Sequence, residues 1–112
     1  MTAANLPAGP DAAAVRAALY ENRSTPNGVP RNARAEELVS LAEATGDTSV
    51  LLDSLFELIL AYEYSAERSK MFAPFARLLR MWDERPADFD ASRAHRLHWM
   101  FKWVAGGMLA HP

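Results

Sequence analysis

The stretch AHRLHWMFKWVAGGML, Ala94 to Leu109, sets His95 and His98 three residues apart and Trp99 and Trp103 four apart. On a helix the two imidazoles sit about one turn apart on neighbouring faces. That spacing serves a metal in helical bundles, where Glu-x-x-His pairs and carboxylates from other helices complete the site. The acids on hand, Asp53, Glu57, Glu63 and Glu67, are not set out as repeated Glu-x-x-His pairs. His95 and His98 therefore read as surface histidines of a helix, one of them stacked on Trp99 or Trp82, and no metal is expected.

Tyr62, Glu63, Tyr64 and Glu67 are a second candidate, for acid–base chemistry. That chemistry needs groups converging on one pocket with shifted pKa values. The plainer reading places Tyr62 in the core and pairs Glu63 and Glu67 with Arg68 or Lys70 in solvent. There is no Gly-rich phosphate loop, no Gly-x-Ser-x-Gly and no His-Glu-x-x-His, and Ser65 and Ser69 have no evident base. The expectation is a protein with no catalytic residue and no cofactor, not an enzyme. A third group is cationic: Arg68, Lys70, Arg77 and Arg80, joined by Arg93, Arg96 and Lys102. Such a patch holds an acidic peptide or a phosphate, or serves as a solubilising surface.

The chain of 112 residues fits one small domain with a modest core. A net charge of −2 argues against a general nucleic-acid partner. The absence of cysteine removes disulfides, thiolate nucleophiles and cysteine-based zinc sites. No apolar run is long enough for a bilayer, and MTAANLPAGP lacks the basic and apolar blocks of a secretory signal. The expected compartment is the cytoplasm, with no membrane partner.

The elements that must position these residues are helices. Strand-like alternation is absent, and Ala, Leu, Glu and Arg dominate. Residues 1–9 read as a flexible arm and 10–112 as a single helical domain, open to being the first part of a longer array. The first helix follows Pro10 and Asp11, with Val15, Ala18 and Leu19 on one face, and ends at STPNGVP. The second spans about Arg31–Thr45. Ala35, Leu38, Val39 and Ala42 face inward, Glu36, Glu37, Ser40 and Glu43 outward, and Gly46 closes it. Asp47 or Thr48 caps the third, about Ser49–Tyr64. Leu51, Leu52, Leu55, Phe56, Leu58, Ile59 and Tyr62 leave only Asp53, Ser54 and Glu57 for a wet strip, so this helix should be the hub. The fourth starts between Ser69 and Ala73 and ends near Asp83, burying Phe72, Phe75, Leu78, Leu79 and Trp82. The fifth opens at Asp88 or Asp90 and runs to about Leu109.

Helix pairs joined by short turns suggest a repeat array. Ala35, Val39 and Ala42 follow the small–large–small spacing of the second helix of a tetratricopeptide repeat. Leu52, Leu55 and Ile59 take the large positions of a first repeat helix. Over roughly Pro10–Trp82 the chain resembles that family, departing from it at Phe56 and at Met71, Phe75 and Leu78. The resemblance implies a right-handed array of antiparallel hairpins that binds peptides or proteins without catalysis.

Helical spacing puts Ala94, Leu97, Phe101, Val104, Ala105 and Met108 on the inner face of the fifth helix. Trp99, Met100 and Trp103 form a second apolar strip, leaving Arg93, Arg96 and Lys102 wet. Covering that strip buries several hundred square ångströms, on the order of 5–10 kcal/mol before entropy costs. The third helix or the N-terminal arm, a second copy, or a further repeat are the alternatives for the cover. Gly106-Gly107 reads equally as a fraying end or a close helix crossing. The leading expectation is thus an interaction or scaffolding module, self-associating or docking a protein partner through Trp99, Trp103, Met100, Arg96 and Trp82. The alternative is an effector-binding regulatory bundle with a pocket of Phe72, Phe75, Trp82 and Tyr62.

Overall fold

A computed structural model describes residues 11–110, the last four by helical backbone alone. The expectations for the arm, for Gly107 and Met108 and for the final His111-Pro112 lie outside the described residues. Within them the chain is all-helical: α1 Ala12–Asn22, α2 Val29–Thr45, α3 Thr48–Glu63, α4 Phe72–Glu84 and α5 Ala91–Ala110. Short 3-10 turns at Arg68–Met71 and Pro86–Asp88 lead into α4 and α5. None of these helices is long and apolar enough to cross a membrane.

Capping chemistry sets the helix ends. Asp11 accepts from Ala13 N at 3.0 Å, Asp47 from Val50 N at 3.1 Å and Asp90 from Arg93 N at 2.8 Å. Each carboxylate satisfies an orphan amide and complements the positive end of its helix. The cap of α3 is therefore Asp47, and Asp90 opens α5. The second helix starts two residues before its expected first residue, Arg31, because Pro30 fits a first turn where no N–H is needed. It stops at Gly46, whose φ of 71° is the left-handed conformation glycine takes readily.

Side-chain pairs give the order of the helices. Arg16 reaches Ser49 and Asp53, and Arg23 reaches Glu57, so α1 runs parallel to α3. Arg93 reaches Ser49 and Asp53 and Arg96 approaches Glu57, so α5 does too. In α2, Asn32 meets Ser65 and Glu36 meets Tyr62, which makes α2 antiparallel to α3. Arg77 of α4 pairs with Glu43 of α2 at 2.7 Å. The helices thus alternate in direction as hairpins, with α1, α3 and α5 pointing one way.

The third helix is the hub, as its apolar circumference requires. Leu52, Leu55, Phe56 and Ile59 are closed to solvent among Ala35, Val39, Phe75, Leu78, Leu97, Met100 and Val104. A second cluster of Val15, Leu19, Leu38, Ala42 and Val50 fastens α1. Each large side chain so buried contributes about 1.5–3 kcal/mol.

Three face assignments need correction. The strip Asp53, Ser54, Glu57 is not wet: Ser54 is closed off and donates to Leu51 O at 2.8 Å, while both acids lie under arginines. On α5 the inner line is Leu97, Met100 and Val104; Phe101 is displaced to the rim at 55% exposure, tilted against Phe75. The helix is rolled toward its Arg93 side, because two acids sheltered on α3 require cationic partners there. Arg93 is consequently not wet but largely enclosed. On α4, Phe72, Leu79 and Trp82 stay partly exposed, and only Phe75 and Leu78 enter the core.

Candidate functional site

The third helix carries Ser49, Asp53, Glu57 and Leu60 in one line, since these positions fall within an arc of about 80° at 100° per residue. The line forms the floor of a groove walled by α1 and α5. Its first half is charged. Asp53 takes Arg16 Nη1 at 2.5 Å from one wall and Arg93 Nε at 3.1 Å from the other. Glu57 takes Arg23 through Nε at 2.9 Å and through Nη2, and faces Arg96 Nη2 at 3.6 Å across the groove. Two rungs result, each a carboxylate of α3 between an arginine of α1 and an arginine of α5. Ser49 Oγ accepts from both Arg16 and Arg93, at 2.7 and 2.5 Å.

Burial raises the pKa of Asp53, but hydrogen bonds from Arg93 and Arg16 outweigh it and hold the carboxyl below its ordinary value. The hydrogen bond that Arg23 donates to Glu57 raises the pKa of Arg23, and that which Arg93 donates to Asp53 raises that of Arg93. Arg96 lays its guanidinium 4.8 Å from the centre of the Phe56 ring. A cleft of about 190 Å³ opens here, lined by Arg16, Tyr20, Arg23, Asp53, Glu57 and Arg96 among others.

The second half is apolar. Leu60, His95, Arg96, Trp99, Met100 and Trp103 line an adjoining cleft of about 220 Å³. Trp99 is 45% exposed and Trp103 half-buried against the core. His95 Nε2 accepts from Trp99 Nε1 at 3.0 Å, both His95 and His98 stand edge-on to the indole, and Lys102 Nζ lies 4.6 Å from its centre. The indole is thus held on the surface rather than loose.

Of the expected interaction residues, Trp99, Trp103 and Arg96 meet at this cleft. Met100 does not stand on the surface strip: it is 2% exposed and forms the inner wall. Trp82 lies elsewhere, edge-on to Phe89 with ring centres 5.1 Å apart. The effector pocket expected from Phe72, Phe75, Trp82 and Tyr62 divides: Tyr62 and Phe75 are core, the other two sit outside it, and neither cleft is lined by any of them. Glu63 pairs with Arg68 at 3.1 Å and Glu67 with Lys70 at 2.5 Å, the expected partners, but not in solvent: the Glu63 side chain is 14% exposed and Glu67 also accepts from the buried Asn32. Among the described residues no three His, Asp or Glu side chains cluster as metal ligands. The seven cations expected to form one patch separate, since Arg77 turns to α2 while Arg93 and Arg96 turn to α3. At Gly106 no atom lies within 4 Å of where a Cβ would stand, so no close crossing occurs there.

Sequence reasoning missed the two rungs. Their only signal was the four-residue spacing of Asp53 and Glu57 on an otherwise apolar helix, which marks two acids on one face without showing what covers them. Comparison of the chain with protein-family models, curated proteins and solved structures gives no match. The resemblance to tetratricopeptide repeats rests on the quoted residues alone.

Proposed function

We propose that the protein is an interaction module that holds a protein partner or a second copy along α5, and that it carries out no catalysis of its own. The observation that carries this reading is Trp99, a large aromatic side chain 45% exposed at the mouth of an apolar cleft and fixed there by His95 and Lys102. An ordered, half-exposed tryptophan beside a concavity is the kind of anchor that dominates interface energies. Trp103 and Arg96 complete the anchor set, with Met100 as its floor. A repeat-like array of hairpins belongs to the same proposal, supported by the shared direction of α1, α3 and α5. The site of action is proposed to be the cytoplasm.

The test is the pair Trp99→Ala with Trp103→Ala. Loss of a dimer by light scattering, or of a co-purifying partner, with an unchanged far-ultraviolet circular dichroism spectrum is the expected result. Unfolding of the double variant would show that these residues are core and would remove the proposal.

A further inference from the structure

The charged and the apolar halves of the groove share Arg96, so a single chain laid along α3 crosses both. We infer that the groove between α1 and α5 takes an extended segment of another protein, carrying an acidic residue followed or preceded by an apolar anchor. The inference rests on the interaction reading above and specifies the partner's chemistry.

Charge carries it first. Four guanidiniums face the two floor carboxylates. Asp47 and Asp90 stand near the upper end, where they cap α3 and α5 and lie beside Arg93. With Arg93 offset by these acids, Arg16, Arg23 and Arg96 face two carboxylates, an excess of one positive charge, and their side chains are 45%, 52% and 33% exposed. Each guanidinium has five N–H donors in a fixed fork. Arg16 spends one on Asp53 and one on Ser49 and Arg23 two on Glu57, and the rest have no hydrogen-bond partner among the described residues. Asp53 and Glu57 hold the forks in place before a ligand arrives, which lowers the ordering cost of binding.

Spacing carries it second. From Asp53 to Leu60 is seven residues of helix, about 10 Å at 1.5 Å per residue. An extended peptide covers that in about three residues. A carboxylate at Arg16 and Arg23 thus leaves a side chain three or so residues away over Leu60, between Trp99 and Trp103. The chain itself offers no such occupant. Its arm, MTAANLPAGP, holds no acid. The outward acids of α2 are already engaged, Glu36 with Tyr62, Glu37 with Arg34 and Glu43 with Arg77.

The probe is a randomised 12-residue peptide library on phage, panned against the full chain, followed by anisotropy on the enriched sequences as synthetic peptides. The expected result is enrichment of an acidic residue two to four residues from Leu, Phe, Tyr or Trp. Affinity should fall about tenfold for Arg16→Gln with Arg23→Gln, and likewise for Trp99→Ala, and should weaken with added salt. Because Asp53 and Glu57 lose partners in the double glutamine variant, Arg16→Lys with Arg23→Lys is the companion: it keeps both charges, and loses only the forked donors. It should fold as the parent does and still bind several-fold less tightly. Enriched peptides without acids, indifferent to the arginine variants but lost with Trp99→Ala, overturn the acidic partner and leave the interaction module standing. No enrichment with a chain that is monomeric by light scattering overturns both. A homodimer that Trp99→Ala dissociates assigns the groove to a second copy instead.

Discussion

Arg93 of α5 lays its guanidinium along the carboxylate of Asp53 on α3, with Nε 3.1 Å from Oδ1 and Nη2 3.3 Å from Oδ2. Arg93 is only 18% exposed and Asp53 22%, so water screens this pair less than most. Arg93→Ala leaves Asp53 to Arg16 alone and removes three bonds that seat α5 on α3, two to Asp53 and one to Ser49. The expected loss is about 1–2 kcal/mol at neutral pH, measured by urea unfolding.

The same carboxylate makes stability depend on acid. Its folded pKa lies below the unfolded value of about 3.9. On acidification the unfolded chain therefore takes up the proton first, and the equilibrium moves toward it. The contribution is complete above about pH 4 and disappears as pH falls through the lowered folded value. Asp53→Asn should be less stable than the parent at pH 7, and its unfolding midpoint should change less as the pH falls below about 4. Equal acid sensitivity in the two proteins would mean that other carboxylates set the acid limb.

Tyr62 responds at the opposite end of the pH scale. Burial, then its hydrogen bond to Glu36, push the phenol well above its ordinary value. The unfolded chain loses this proton near pH 10 while the folded chain keeps it, so stability falls as pH rises above about 10. In a spectroscopic titration of the folded protein, Tyr62 should ionise well above pH 10. Tyr62→Phe should delete that late step. An unchanged titration curve in Tyr62→Phe would refute the assignment.

The helices and the hub were legible because they depend on local signals. Ala35, Leu38, Val39 and Ala42 repeat at helical spacing, Gly46 and Asp47 punctuate α2 and α3, and α3 is too apolar to lie at an edge. The roll of α5 was not legible. Spacing alone favours an inner face through Leu97, Phe101 and Ala105, since arginines are placed outside by default. The structure turns it by about 60°, at 100° per residue, onto Leu97, Met100 and Val104. The cause is on another helix: Asp53 and Glu57 draw Arg93 and Arg96 inward, a pairing across 40 and 39 residues of chain that no local pattern encodes. Asn32 escaped notice for the same reason. It is closed to solvent on a polar-looking turn of α2, and its amide reaches Ser65 and Glu67, both at 2.9 Å.

The link between α2 and α3 rests on Gly46. Its φ of 71° would strain any side chain, although open space surrounds the position. Gly46→Ala should cost about 1 kcal/mol through backbone strain alone. Gly106→Ala, in a helix with equally open space, should stabilise by about 0.5–1 kcal/mol. Thermal unfolding followed by circular dichroism reads both signs. A stabilising Gly46→Ala would mean that the turn is not left-handed in solution.

Met100 and Trp99 are adjacent in sequence and opposite in role, which gives the surface reading its sharpest check. Met100 is 2% exposed among core side chains of α3 and α4, and truncation to alanine opens a cavity there. The expected loss is about 2–4 kcal/mol. Trp99 is 45% exposed, and its partners His95 and Lys102 are themselves on the surface. Trp99→Ala should cost under about 1 kcal/mol, as a surface substitution does. Binding should rank the two in the reverse sense, with Trp99→Ala losing the partner while Met100→Leu, which keeps the volume, retains it. Urea unfolding of the two alanine variants gives the first ranking. Equal losses would place the Trp99 indole in the core, and the cleft beside it would then have no exposed anchor to offer.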